Sequence, residues 1–572
     1  MVSREGMSVV RDVVSEIEFK APGPGSWELE QTHFGRPATR YMAALAGEPI
    51  SRGFGEGTRR YGLLLDTMRF GFVNDFCYSK FVPVGAPENA SGPPPRLIFM
   101  LLTRLHPEIR RRVAAAPDAI ARKLWREDLR RWDEEYKPDS IARNSRIQAT
   151  PIAGLGDREF IAHLEDVKAN VIEMLYRHQK FTVSCTFPVG HFVTEVQSWT
   201  GLPSGEILGT LKGAAPISRG IGAGSLDRLR TAIAAAGITA AGVRGRPAQQ
   251  VLYDLQAAPG VGEALQAYLD EVGYRLVSGY DMADRYALEM PEMLVGAIFG
   301  ASDTADRRGD FERSRDALRA KVPATRRAEF DEWLEEARFM HRLRDERGIY
   351  NDCWGSGLAR RALLEAGRRL KESGVLPDAS LAINASHEEI VSLLTGGRQP
   401  SVEELRRRQT WRETKTVADA PAFLGPEPKA PPPADWLPKK ARANARVVET
   451  IMREVFNVSS QKAPPKSVAG LPVHPGVYEG PVRIINGPQD FNRLQQGDVL
   501  VTRNTGPAFN VVLPLLGAIV TDRGGQLSHA AIVAREYGIP GVVGTREATT
   551  MFADGARVRV NGDTGVVELM GA

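Results

Sequence analysis

The sequence predicts a multidomain protein, with a large mainly α-helical domain followed by a small α/β domain. Three observations predict it. From about Trp27 to Trp411, apolar residues recur at three- and four-residue spacing and few stretches alternate. Residues 418–440 are crowded with proline. Beyond residue 470, short β-prone runs bounded by turn residues surround one glycine loop and one short helix.

Residues 1–25 read as irregular and end in the breaker cluster Ala21-Pro-Gly-Pro-Gly25. Leu101 to Tyr136, Asp157 to Arg177 and Phe330 to Leu370 carry helical apolar stripes with charged opposite faces. Val251 to Leu276 is a further helical segment, closing near Gly273. Residues 1–417 are therefore expected to form the helical domain, in one or two lobes. Residues 418–469 are expected to be a Pro-rich linker with a short helix from Ala441 to Phe456, broken again at Ala463-Pro-Pro-Lys466. A ~25-residue Pro-rich run at ~3.1 Å per residue reaches several tens of Å, so the linker reads as a semi-rigid spacer. In residues 470–572, strands are expected at Val477–Ile485, Asp498–Thr502, Ala518–Thr521, Gly541–Gly544, Arg557–Val560 and Val566–Leu569, with a helix ending near Glu536.

Composition excludes several classes. The 74 basic and 70 acidic side chains alternate along most segments and leave a net charge of +4, so no nucleic-acid partner is expected. Cys77, Cys185 and Cys353 are far apart, with no C-x-x-C spacing, which argues against a disulfide scaffold and a metal site. This usage suits a reducing cytoplasm. No apolar run approaches ~18 residues and the N-terminus lacks a signal-peptide core, so no membrane partner is expected. Gly220-Ile-Gly222-Ala-Gly224 has no preceding strand and no following Lys, so it reads as a plain loop.

The chemistry concentrates in Thr521-Asp-Arg-Gly-Gly-Gln-Leu-Ser-His529 and the helix formers after it. A neutral imidazole is a nucleophile near pH 7. At a helix start it lies beside unpartnered backbone N–H groups and the positive end of the helix dipole, which favour an incoming phosphoryl group. Gly524 and Gly525 allow close backbone approach, Ser528 is suited to cap the helix or bond a phosphate oxygen, and Arg523 and Arg535 lie nearby. His529 is the candidate phosphoryl carrier, with Gly524, Gly525, Ser528 and Arg523 as phosphate-binding candidates.

The string Gly-Gly-x-x-Ser-His-Ala-Ala-Ile-x-Ala-Arg-Glu-x-Gly-Ile-Pro, residues 524–540, resembles the swivelling phosphohistidine domain of the phosphoenolpyruvate-utilising enzymes. That family includes phosphoenolpyruvate synthase, pyruvate phosphate dikinase, rifampicin phosphotransferase and phenylphosphate synthase. The resemblance implies phosphorylation of His529 on Nε2. Weaker resemblances to the family's central region run through Trp27-Glu-Leu-Glu-Gln-Thr-His33-Phe34, Tyr274 to Pro291, and Arg344-Asp-Glu-Arg-Gly-Ile-Tyr350. One departure stands in the last: relatives often have Arg-Glu-x-x-Lys, whereas this chain ends Arg347-Gly348. A transfer site needs fixed positive charge and an orienting carboxylate, which makes Arg344, Asp345, Arg275 and Asp281 candidates. His178 and His191, in an aromatic stretch, are candidate general bases.

The layout resembles the phosphohistidine-bearing subunit of phenylphosphate synthase. The chain begins where the family's ATP-grasp module would end and stops after the histidine domain. By that resemblance, ATP and Mg²⁺ belong on a separate ATP-grasp partner, and no cofactor is held tightly here. The expected activity is a phosphotransferase (kinase-like) passing phosphate from His529 to a hydroxyl of a small organic acceptor, such as a phenol or alcohol. The alternative is a phosphocarrier or regulatory module that docks on proteins and has no small-molecule substrate.

Overall fold

A computed structural model describes residues 17–214, 222–300, 307–456 and 466–570, apart from positions 32, 278, 507, 508, 510 and 511. Of the glycine run at 220–224, residues 220 and 221 lie outside the described residues; Gly222 stands at the N-cap of the helix Ala223–Ala235. The N-terminal irregular segment is described only from residue 17.

The architecture is the expected one of a large helical region followed by a smaller sheet-containing domain. The long helices Asp157–Lys180, Thr182–Thr200, Arg327–Tyr350 and Asp352–Glu372 carry the centre of the helical region. One core gathers Phe160, Val171, Leu358 and Leu363; another gathers Trp125, Phe187, Phe192 and Phe330. A third, between residues 223 and 299, packs Leu229, Leu255, Leu265 and Leu294. The expected Asp157–Arg177 stretch lies within one helix, whereas the other expected long stretches are divided. Val251–Leu276, for example, is two helices, Ala248–Ala257 and Gly262–Val272, and the second does close at Gly273.

The helical region also holds a small sheet that the sequence reading missed. Strands β1 (Trp27–Leu29), β2 (Leu65–Val73), β3 (Phe76–Pro83) and β4 (Phe423–Leu424) assemble in the order β2-β3-β1-β4. β2 and β3 form a hairpin whose two turn residues, Asn74 and Asp75, have φ of 50° and 67°. Two left-handed residues in a two-residue loop suit the twist of paired strands, and Asn and Asp tolerate that conformation.

The expected spacer is anchored on the helical region. β4 pairs with β1, and the Tyr78 hydroxyl donates to the Pro421 carbonyl at 2.9 Å. The helix Lys439–Phe456 packs its apolar face on Thr182–Thr200, with Val447 in the core and Ile451 against Gly190. Asn444 donates to the carbonyls of Tyr61 (3.0 Å) and Ala116 (2.9 Å). The linker helix is amphipathic, so burying one stripe stabilises it more than standing in water would. Residues 457–465 lie outside the described residues.

The C-terminal domain is an eight-stranded sheet: β5 (Ser467–Ala469), β6 (Leu471–His474), β7 (Val477–Ile484), β8 (Asp498–Thr502), β9 (Leu516–Thr521), β10 (Gly541–Val543), β11 (Arg557–Asn561) and β12 (Val566–Leu569), ordered β5-β12-β11-β7-β8-β9-β10-β6. The four strands from β7 to β10 run parallel, so the loops leaving their C-terminal ends lie side by side. Apolar residues fill both faces, Ile519 and Leu500 on one and Val501, Val520 and Val542 on the other.

Asn444→Leu should leave two buried carbonyls without donors and cost about 1–3 kcal/mol. A urea midpoint equal to that of the unmodified protein would contradict this anchoring of the linker helix.

Candidate active site

His529 opens the helix His529–Tyr537, directly after the loop that leaves β9. The loop is fixed at both ends. Asp522 is buried and accepts the Thr549 N–H (3.1 Å) and the Thr545 hydroxyl (3.2 Å). Ser528 caps the helix, its hydroxyl accepting the Ala531 N–H at 3.3 Å. Gly524 has φ +109°, and a Cβ there would come within 2.8 Å of the Ser528 side chain, so both conformation and space require glycine.

The ring of His529 is held from the neighbouring strand end. Thr505, in the loop after β8, places its hydroxyl 2.8 Å from Nδ1. When Nδ1–H donates to that oxygen, the neutral ring keeps its lone pair on Nε2. Burial against the helical region, with the charge of Arg344, pushes the His529 pKa down to about 3. The ring is therefore uncharged at any ordinary pH.

The surroundings of the loop bind it to the helical region. Leu527 is buried in the core of the helical region, beside Leu208 and Leu211, and its N–H donates to the Glu454 carbonyl at 3.2 Å. The Gly213 N–H donates to Glu536 at 2.7 Å. Arg535 is a brace and holds no free charge for phosphate: it is buried and donates to the Val473 carbonyl (3.0 Å) and the Gln526 carbonyl (2.6 Å). Its pKa falls to about 9 through burial, against Glu454 and with Arg344.

The same loop closes a cavity of about 240 Å³ in the helical region. Arg523 and Gly524 form one wall, and Leu29, Phe34, Phe70, Phe81 and Leu175 supply apolar walls. Two histidine–carboxylate pairs line it. His178 Nδ1 lies 2.7 Å from Asp352, and His33 Nδ1 lies 3.1 Å from Glu30, with the Tyr280 ring edge-on to His33 at 5.0 Å. The two rings differ electrostatically. Burial and Arg347 lower the His178 pKa, against the pull of Asp352. Burial also pulls His33 down, but the charge and hydrogen bond of Glu30 outweigh it, and the His33 pKa is raised. His178 is thus the ring held neutral, with its free nitrogen open to a proton near pH 7, and His33 the more readily charged ring.

Residues 494–565 match the family model described as the PEP-utilising enzyme, mobile domain. The C-terminal domain is a PEP-utilising enzyme mobile domain. The chain is 29% identical over 316 residues to the "Uncharacterized phosphotransferase YvkC" of Bacillus subtilis (strain 168), covering 53% of this chain and 36% of that protein. It is 27% identical over 352 residues to the "Rifampicin phosphotransferase" of Streptomyces sviceus, covering 56% and 36%. It is 41% identical over 143 residues to the "Phosphoenolpyruvate synthase" of Aeropyrum pernix, covering 24% and 16%. The chain thus spans about a third of the length of the first two relatives.

Of the predicted residues, the structure brings Arg523 and Gly524 of the mobile domain to the cavity that holds His178, and sets Arg344 in charge range of His529. Asp345 sits beside Arg344 at 3.8 Å, its pKa raised by burial. Three candidates lie elsewhere, for physical reasons. Arg275 is buried on the face of Trp354 (4.1 Å) and donates to the Ile349 carbonyl at 3.1 Å. Asp281 accepts the N–H groups of Thr39 and Ala283, both at 2.8 Å, and locks a loop. His191 is stacked on Trp333 at 4.0 Å inside the core. Arg347, which stands near the family's missing lysine, donates to the His178 carbonyl (2.8 Å) and Thr182 (2.9 Å) and so secures the end of the helix bearing His178. Sequence reasoning missed Thr505, His33, Glu30, Tyr280 and Asp352 as site residues. Glu30 and His33, in the Trp27–Phe34 segment, and Tyr280, in the Tyr274–Pro291 segment, carried a signal through the family resemblance; Thr505 and Asp352 carried none.

Because burial lowers the His529 pKa from its ordinary 6.5 to about 3, protons favour arrangements in which the ring is exposed. The buried ring's contribution is fully present above pH ~6.5 and is lost as pH falls toward 3. At pH 5.5 burial of the ring is weakened by ~1.4 kcal/mol. Hydrogen exchange at the Leu527 and Gly213 amides, corrected for intrinsic rates, should therefore quicken between pH 7.5 and 5.5. Unchanged protection would contradict it.

Proposed function

We propose that this chain is the phosphohistidine component of a phosphotransferase. In the first step, Nε2 of His529 attacks the terminal phosphorus of ATP held with Mg²⁺ on a separate ATP-grasp partner. The P–N bond forms and the P–O bond to ADP breaks. In the second step, the hydroxyl oxygen of a small organic acceptor attacks that phosphorus, the P–N bond breaks, and His178 takes the hydroxyl proton. Asp352 holds the His178 ring by its Nδ1, which leaves Nε2 as the basic nitrogen. Arg344 and Arg523 supply positive charge where the transferring group becomes more negative.

The observation that carries this reading is the cavity itself. It is apolar, it contains a histidine–carboxylate pair with a lowered histidine pKa, and its wall is the loop that leads to His529. A carrier that only docks on proteins needs no such cavity. At about 240 Å³ it lies below the usual 300–1,000 Å³ of drug-sized sites, which favours a one- or two-ring acceptor such as a phenol or a compact alcohol.

Radiolabelled ATP and the ATP-grasp partner should place acid-labile label on the wild-type chain and none on His529→Ala. Undiminished label on His529→Ala would refute the carrier. His178→Gln should label normally yet pass phosphate to a phenol about 10²–10⁴-fold more slowly. Wild-type transfer by His178→Gln would remove it as the base.

A further inference from the structure

Resting on the phosphocarrier reading, we propose that Arg503, Arg523 and Arg546 of the mobile domain form a binding site for the phosphate chain of the phosphoryl donor, a site that travels with His529. Each arginine follows the C-terminal end of a parallel strand. Arg503 comes directly after β8, Arg523 two residues after β9 and Arg546 three residues after β10. Loops at the carboxyl ends of adjacent parallel strands share one crevice, the usual place for ligands in open α/β sheets.

The three loops are stitched together through their backbones. The Asp522 N–H donates to the Thr502 carbonyl at 3.0 Å, the Arg523 N–H to the Arg503 carbonyl at 2.9 Å and the Arg546 N–H to the Asp522 carbonyl at 2.9 Å. Arg546 sits at φ 74°, a left-handed conformation that residues with side chains seldom adopt. The fold thus holds a bulky cation where glycine or asparagine would be easier.

Like charges gathered this way repel one another unless something neutralises them. Among the described residues, none of the three guanidinium groups makes a hydrogen bond or short ion pair. Asp522, the carboxylate in their midst, has its oxygens engaged by Thr545 and Thr549. Burial and the two neighbouring cations lower the Arg523 pKa, with Asp522 opposing them. An incoming anion relieves this strain, and guanidinium groups match phosphate oxygens in geometry.

The arrangement favours the donor over the acceptor. Arg523 reaches the acceptor cavity, whereas Arg503 and Arg546 stay exposed in the docked arrangement. A single acceptor hydroxyl needs no second and third cation, whereas a chain of two or three phosphates does. The loops of Arg503 and Arg523 also carry Thr505 and Gly524, which flank His529, so a phosphate chain held there presents its terminal group to the ring.

The test is calorimetric titration of the full chain with inorganic tripolyphosphate. Saturable one-to-one binding is expected. Arg503→Ala and Arg546→Ala should each weaken it by roughly fivefold or more. The exposed control Arg110→Ala should bind as the wild type does. Absence of saturable binding, equal affinity in the Arg503 and Arg546 variants, or an equal loss in Arg110→Ala would overturn the proposal. The carrier reading fails separately: a wild-type chain that binds tripolyphosphate but never acquires acid-labile label loses that reading and keeps the site, and a chain that labels without binding loses the site.

Discussion

One hydrogen bond organises the rest of the structure: the contact between the Thr505 hydroxyl and Nδ1 of His529. It joins the loops of two adjacent parallel strands and engages Nδ1 of the ring. Everything around it keeps the ring uncharged and correctly turned. The glycine loop gives the backbone its path, Ser528 starts the helix, and Asp522 ties the loop to the strand end beyond. The proposed nucleophile must be neutral, and burial beside Arg344 favours the uncharged ring.

Opposing effects meet at the junction between the C-terminal domain and the helical region. Leu527 is buried in the core of the helical region, and Glu454 and Glu536 each accept one backbone N–H across the junction. These contacts favour docking. Against them stand the desolvated rings of His529 and His341, both with pKa pushed down to about 3 by burial and nearby arginines. Adding a phosphoryl group changes the charge at the junction by about two units, enough to redistribute such a balance without any change of fold.

Much of the mobile domain was legible from the chain. β8 and β12 have the bounds read from their β-prone runs, and β9 and the helix after it differ by a residue or two. Period-two runs between turn residues have few alternative readings. β5 and β6 escaped because they are short and interrupted by Gly470 and Pro472. The β2–β3 hairpin escaped because its residues are only partly buried on both faces and show no clean alternation. The linker looked free because proline dominates its composition, yet its helix buries Val447 and Asn444 through contacts no local pattern reveals.

The site divides in the same way. His529 and its loop are contiguous, so spacing alone pointed to them. The cavity is assembled from residues as far apart as Glu30, His178, Tyr280 and Asp352, and only the packing of helices on the small sheet brings them together. Arg275, Asp281 and His191 drew notice as charged or aromatic-flanked residues. Their partners proved to be Trp354, backbone amides and Trp333, which are structural duties.

The most direct test of the account is ³¹P NMR of the chain charged by the proposed ATP-grasp partner, with selectively ¹⁵N-labelled histidine. The account predicts a single phosphoramidate signal coupled to Nε2 of His529, with Nδ1 still bonded to Thr505. A signal coupled to Nδ1, or an acid-stable phosphate ester on Ser528, would contradict it.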